Sequence, residues 1–174
     1  MTMASNAPEP PPGLPSPLFD ADGFPLPLLR VRRRVEASGG QVKGELHDWK
    51  LTHPRADLTE IGVHFLLDGD VLVEVGLCGR IYVDATMAYR GHPPGNEASW
   101  LDHTLNGILD GHYREVTVVD EDDQPVEHGY ELSHQYGGDR RRRYVAPMPD
   151  DERQRRMSSW REDWYQYPAW PQER

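Results

Sequence analysis

The segment from Ile61 to Leu77 constrains the fold more than any other, because Asp68-Gly69-Asp70 separates two runs rich in Val, Leu, Ile and Phe. Branched and aromatic residues on both sides of a polar, glycine-containing break signal a β-hairpin. With Asp68, Gly69 and Asp70 as a three-residue loop, Leu67 faces Val71, Phe65 faces Val73, Val63 faces Val75 and Ile61 faces Leu77. Every pair in that row is apolar. A two-residue Asp-Gly loop would set Val63 against Glu74, and such a slip carries the buried row to the wrong side of the sheet. The longer loop is therefore preferred, and it places His64 opposite Glu74 on the second face.

The remaining pattern is mostly extended. Leu29, Val31, Arg33 and Val35 alternate with Arg30, Arg32 and Arg34, which predicts a first strand. Ser38-Gly39-Gly40 supplies a turn, a second extended stretch runs from Val42 to Thr52, and His53-Pro54 closes it. A short strand is expected near Arg80 to Asp84, followed by a loop through Gly91-His92-Pro93-Pro94-Gly95. The period then changes. Trp100, Leu101, Thr104, Leu105, Ile108 and Leu109 recur at three- and four-residue spacing, Asn96 or Ser99 can cap the start and Gly111 the end, so one helix is expected with Asp102, His103, Asn106 and Asp110 more exposed. Strands Tyr113 to Val119 and Val126 to Tyr136 follow, joined by the acidic turn Asp120 to Pro125, with a last strand near Arg141 to Ala146. Successive strands with short turns and a single main helix predict an α+β fold, an antiparallel sheet of hairpins packed on that helix.

The ends differ in composition. Six prolines lie between Ala7 and Pro17, so residues 1–25 are expected to form a disordered, proline-rich tail, with one domain over 26–147. Residues 148–174 form a charged extension ending in Trp160, Trp164, Tyr165, Tyr167 and Trp170. Each of the three tryptophans can bury ~150 to 250 Å² and needs a surface to cover it. They either clasp the domain, with Trp160 and Trp164 on one side of a short helix, or form the binding surface for a partner. The clasp is the preferred reading.

Chemical signatures are sparse. No phosphate-cradling loop, dinucleotide fingerprint, nucleophile elbow or zinc-binding H-E-x-x-H occurs, and no cofactor is expected. The single cysteine, Cys78, excludes an intramolecular disulfide and reads as a small hydrophobe in preference to a nucleophile. The eight histidines show no ligand spacing, and no metal site is expected. The acidic turn lacks the glycine and the terminal glutamate of a calcium loop. Alternation within strands splits the arginines at 30–34 and 140–143 between faces, which disfavours a nucleic-acid groove, as does the formal net charge of −10. No apolar run approaches the ~20 residues of a membrane helix and no signal peptide is recognisable, so a cytoplasmic location is the default expectation.

Two functions remain open. The first is a non-catalytic module whose partner is another protein, with a basic partner matching the charge; neutralising a basic toxin and serving as an accessory subunit both belong to this class. The second is a small enzyme with His64 and Glu74 as an acid/base pair, in a pocket shared with Tyr82, Tyr113, Tyr130 and His128. Binding is expected over catalysis.

Overall fold

A computed structural model describes residues 20, 22–66, 70–83, 100–133, 140–145 and 148–172. The proline-rich segment, Asp68 and Gly69, the 91–95 loop, the caps Asn96 and Ser99, and residues 134–139 lie outside the described residues.

The fold is α+β with antiparallel sheets, but it holds two of them in place of one. Strands β1 (Gln41–Glu45), β2 (Asp48–Thr52), β3 (Ile61–Phe65), β4 (Val71–Val75) and β5 (Gly79–Val83) form a five-stranded meander in chain order. Strands β6 (Tyr113–Val119), β7 (Pro125–Leu132), β8 (Arg140–Tyr144) and β9 (Arg161–Gln166) form a second sheet in the order β8-β7-β6-β9. Among the described residues there are three α-helices: α1 (Leu29–Ala37), α2 (Trp100–Leu109) and α3 (Asp150–Arg156).

The segment expected as a first strand is helix α1. Leu28, in the 3₁₀ turn that leads into it, and Val31 and Val35, at three- and four-residue spacing, are buried completely, whereas Leu29 is only partly buried against the core and Arg33 is exposed. The Ser38-Gly39-Gly40 turn ends this helix and does not join two strands. Gly40 N–H donates to the Val35 carbonyl at 2.8 Å and Gly39 N–H to that of Glu36 at 3.0 Å, with Gly39 at φ +87°, a left-handed value that glycine adopts without a Cβ clash. The same pair of bonds closes α2, from His112 to Gly107 and from Gly111 to Ile108.

The stretch from Val42 to Thr52 is likewise two strands, broken where Leu46 takes φ 52°. In the central hairpin Phe65 pairs with Val71, Val63 with Val73 and Ile61 with Val75, a shift of two residues from the expected register. Beyond the last of these pairs, Leu66 N–H donates to the Asp70 carbonyl at 2.8 Å. A two-residue shift preserves the faces, and Phe65 and Val73 are both buried. Leu77, expected opposite Ile61, instead lies beyond the end of β4.

The inner face of the first sheet, α1 and the apolar stripe of α2 (Leu101, Leu105, Ile108, Leu109) build the main core. Asp102, expected on the exposed side of α2, is 4% exposed. Asn106 and Asp110 face α1, where the Arg34 guanidinium reaches both at 2.5 Å.

The C-terminal residues clasp this core, although not as a helix. Residues 161–166 lie along β6, with Trp164 opposite Val116, because the edge of β6 offers backbone groups that a six-residue strand can pair. Trp164 stacks under Arg114, 4.0 Å from the ring centroid. Trp160 precedes the strand with an extended backbone and is partly buried. Trp170 is 3% exposed, meets His53 edge-on at 5.3 Å and donates its backbone N–H to the Leu109 carbonyl at 2.8 Å.

Leu105→Ala is expected to cost ~2 to 5 kcal/mol and Trp170→Ala ~3 to 5 kcal/mol, whereas Leu77→Ala should change stability by about 0.5 kcal/mol or less. Chemical denaturation of the three variants checks this order.

Candidate functional site

The turn between β4 and β5 is held from below by one side chain. Gly76 has φ +59° and lies against the Tyr167 hydroxyl and the Glu115 carboxylate, so a side chain here would be strained and would have no room. The chain then turns through Leu77 and Cys78, whose backbone N–H groups both donate to Glu115 Oε1 at 3.0 Å. The Tyr113 hydroxyl donates to the same oxygen at 2.9 Å and the Tyr167 hydroxyl to Oε2 at 2.9 Å. Glu115 is 8% exposed, and its four donors come from the turn, from β6 and from the segment after β9. Donors aimed at a buried carboxylate replace the water it has lost.

This arrangement sets the chemistry of its neighbours. Burial, and then the Glu115 carboxylate, push the Cys78 thiol up to about 12. The Tyr113 and Tyr167 hydroxyls are raised by the same two causes in the same order. The Cys78 thiol donates to the Gly129 carbonyl at 3.1 Å. These groups are therefore protonated hydrogen-bond donors at neutral pH, not nucleophiles.

Above the clamp the Leu77 side chain is 97% exposed. It stands between two clefts. The first, about 470 Å³, is lined by the buried Glu115 and Tyr167 and by Asp57, Thr117, Asp163 and the half-exposed Tyr165. The Arg55 guanidinium holds the Asp57 carboxyl below its usual range and Arg161 does the same for Asp163, so both stay charged. The second, about 260 Å³, is bordered by Cys78, Arg80, His128, Tyr130, Arg141 and Arg143.

The residues singled out from sequence are distributed differently. His64 and Glu74 lie on the outer face of the first sheet and are not directly opposite: His64 pairs with Leu72, and Glu74 with Gly62. They meet diagonally, His64 Nε2 being 3.3 Å from Glu74, while His64 Nδ1 contacts Asp48 at 2.8 Å and Arg80 contacts Glu74 at 3.1 Å. Neither residue lines either cleft. The six residues expected around one pocket are divided, since Tyr113 and Tyr130 are buried in the core and Tyr82 is 47% exposed. Of the three tryptophans, Trp170 is a core residue, Trp164 is 37% exposed beside β6, and Trp160 is partly buried. The acidic turn is occupied from within: Asp120 Oδ1 accepts the Asp122 and Gln124 N–H groups, and Arg156 and Arg161 reach Asp120 and Asp123. Among the described residues no group of three or more His, Cys, Asp or Glu is placed to hold a metal ion.

Sequence reasoning missed Glu115 and Leu77. The one available signal was the alternation Tyr113, Glu115, Thr117, Val119, which puts a carboxylate on the face that Tyr113 buries. Compared with protein-family models, with curated proteins and with solved structures, the chain matches none.

Glu115→Gln replaces one acceptor oxygen with an amide NH2 donor that opposes N–H or O–H donors, and should destabilise the protein by roughly 2 to 4 kcal/mol in thermal or chemical unfolding. For Cys78, the unfolded thiol ionises near 9.0 and the native one near 12, so the native state retains a proton that the unfolded state loses. The stability this thiol contributes is present below pH 9.0 and is lost as pH rises toward about 12. At pH 8, alkylation of the native protein by iodoacetamide should be on the order of 100-fold slower than in denaturant.

Proposed function

We propose that this chain is a non-catalytic module that binds another protein, a basic one, through the face around Leu77. The observation that carries the reading is a leucine 97% exposed on a turn whose backbone is fixed by a buried carboxylate. A lone exposed leucine is ordinary, and fully burying one is worth ~1.5 to 3 kcal/mol. A clamped leucine is better suited to binding, because its backbone needs no further ordering when a partner covers it. Tyr165, 56% exposed beside the same cleft, adds an aromatic ring of the kind that dominates interface energetics. The chain carries a formal net charge of −10, which supports electrostatic steering of a cationic partner. Toxin neutralisation and an accessory-subunit role are both forms of this proposal.

The test is capture of native partners on the purified chain, followed by titration of the recovered protein against wild type and variants. Leu77→Asp is expected to weaken binding by roughly two orders of magnitude without lowering the melting temperature, while the exposed control Met157→Asp leaves affinity unchanged. Equal affinity of wild type and Leu77→Asp would overturn the assignment of this face.

A further inference from the structure

The second sheet ends at β9, and the outer side of that strand meets no other strand among the described residues. All of its residues are exposed, and its pairing with β6 runs without a bulge, unlike the ladder between β6 and β7. Such an edge offers a row of backbone donors and acceptors to any strand that can lie along it.

The ladder fixes which groups those are. Tyr167 N–H donates to the Tyr113 carbonyl at 3.2 Å, so in the register that follows, Tyr165, Asp163 and Arg161 also turn their backbone groups to β6. The N–H and C=O groups of Glu162, Trp164 and Gln166 therefore point to the open side. Side chains alternate as well. Asp163 and Tyr165 line the first cleft, whereas Trp164 lies on the opposite face, with Arg114 at 4.0 Å and Arg142 at 5.7 Å from its ring and its indole N–H donating to Glu162 at 3.0 Å. The ring is thus oriented while 37% of its surface stays exposed.

We propose that a second copy of this chain occupies the edge, β9 against β9, antiparallel about a two-fold axis at Trp164. Centred there, every outward residue meets an outward residue: Trp164 meets its own copy and Glu162 meets Gln166 of the other chain, for about six new backbone bonds. The intervening pairs set Asp163 against Tyr165 and Arg161 against Tyr167, so no like charges face each other. Neighbouring registers fail. Centring on Glu162 or on Asp163 sets a carboxylate against its own copy, and centring on Tyr165 or Gln166 brings Pro168, which has no N–H, opposite Glu162 or Trp164. The strand at the other end of the sheet has no such match, because a copy of β8 laid antiparallel along its length sets arginine against arginine. The self-complementarity of β9 in charge and hydrogen bonding is what favours a second copy over an unrelated strand. The pairing does not rest on the Leu77 reading, since Leu77 lies on the turn between β4 and β5.

Amide hydrogen exchange of the full chain at low and high protein concentration, with light scattering at each, tests the pairing. The N–H groups of Glu162, Trp164 and Gln166 are expected to exchange roughly tenfold more slowly or less as the mass doubles. Trp164→Glu and Trp164→Lys each bring like charges together at the axis and should each raise the dissociation constant roughly a hundredfold. An equal mixture of the two, each shown to be folded by circular dichroism, should recover the dimer. A monomer mass up to about 1 mM, or a mixture that pairs no better than either variant alone, would overturn the proposal. Protection of the three N–H groups that does not change with concentration would also overturn it, because another segment of the same chain would then hold the edge.

Discussion

The carboxylate of Glu115 is where the separate parts of this molecule are joined. Its four donors belong to residues 77 and 78 of the first sheet's last turn, to Tyr113 of β6 and to Tyr167 beyond β9. Hydrogen bonds to a carboxylate are roughly twice as strong as those between neutral groups, and here they tie β6 both to the last turn of the first sheet and to the segment after β9. The clamp therefore forms only when both sheets and the C-terminal segment are in place. It also removes any freedom from the turn that carries Leu77, so the same bonds that join the halves present an apolar side chain to solvent. Stability and the proposed binding surface rest on one residue.

How much of this was legible in the sequence depended on how many elements satisfied one pattern. For α2, the spacing of Leu101, Leu105, Ile108 and Leu109 fits only a helix, and Gly111 marks its end. In α1 the positions Leu29, Val31, Val35 fit an alternating strand as well as a helix; the deciding contact was Leu28, one residue earlier, which completes a helical stripe with Val31 and Val35. Arginines at every second place could not break the tie, because an arginine can reach solvent or a carboxylate from either structure, as Arg34 does toward Asp110. The hairpin register failed by two residues since both choices keep the same face inward, and sequence pattern alone does not distinguish registers that differ by an even number.

The candidate site was less legible for a different reason. Trp170 was marked for burial by its size alone. Leu77 reads as one more strand residue in an apolar run, and what exposes it is the turn after Gly76, fixed by a residue 38 positions away. A charge on a core-facing strand position is the kind of local inconsistency that accompanies such long-range ties.

The charges also have an order that a net value conceals. Arg156 and Arg161 return from the C-terminal segment to the acidic turn between β6 and β7, and Arg114 and Arg142 stack around Trp164. At the first cleft beside Leu77, Asp57 is paired with Arg55 and Asp163 with Arg161, so carboxylates and guanidiniums alternate there too.

Trp170 has a consequence for the order of folding during synthesis. It covers Gly40 and His53, residues made far earlier, and Tyr167 completes the carboxylate clamp. The helices and the five-stranded meander leave the ribosome with that seat open, and long-range closure of this kind is slow compared with local hairpin formation. A nascent chain must therefore keep an apolar recess and a buried-type carboxylate exposed to the cell until its residue 170 emerges. The period of greatest vulnerability to misassociation is the one just before residue 170 is made, when the elements it covers can already form.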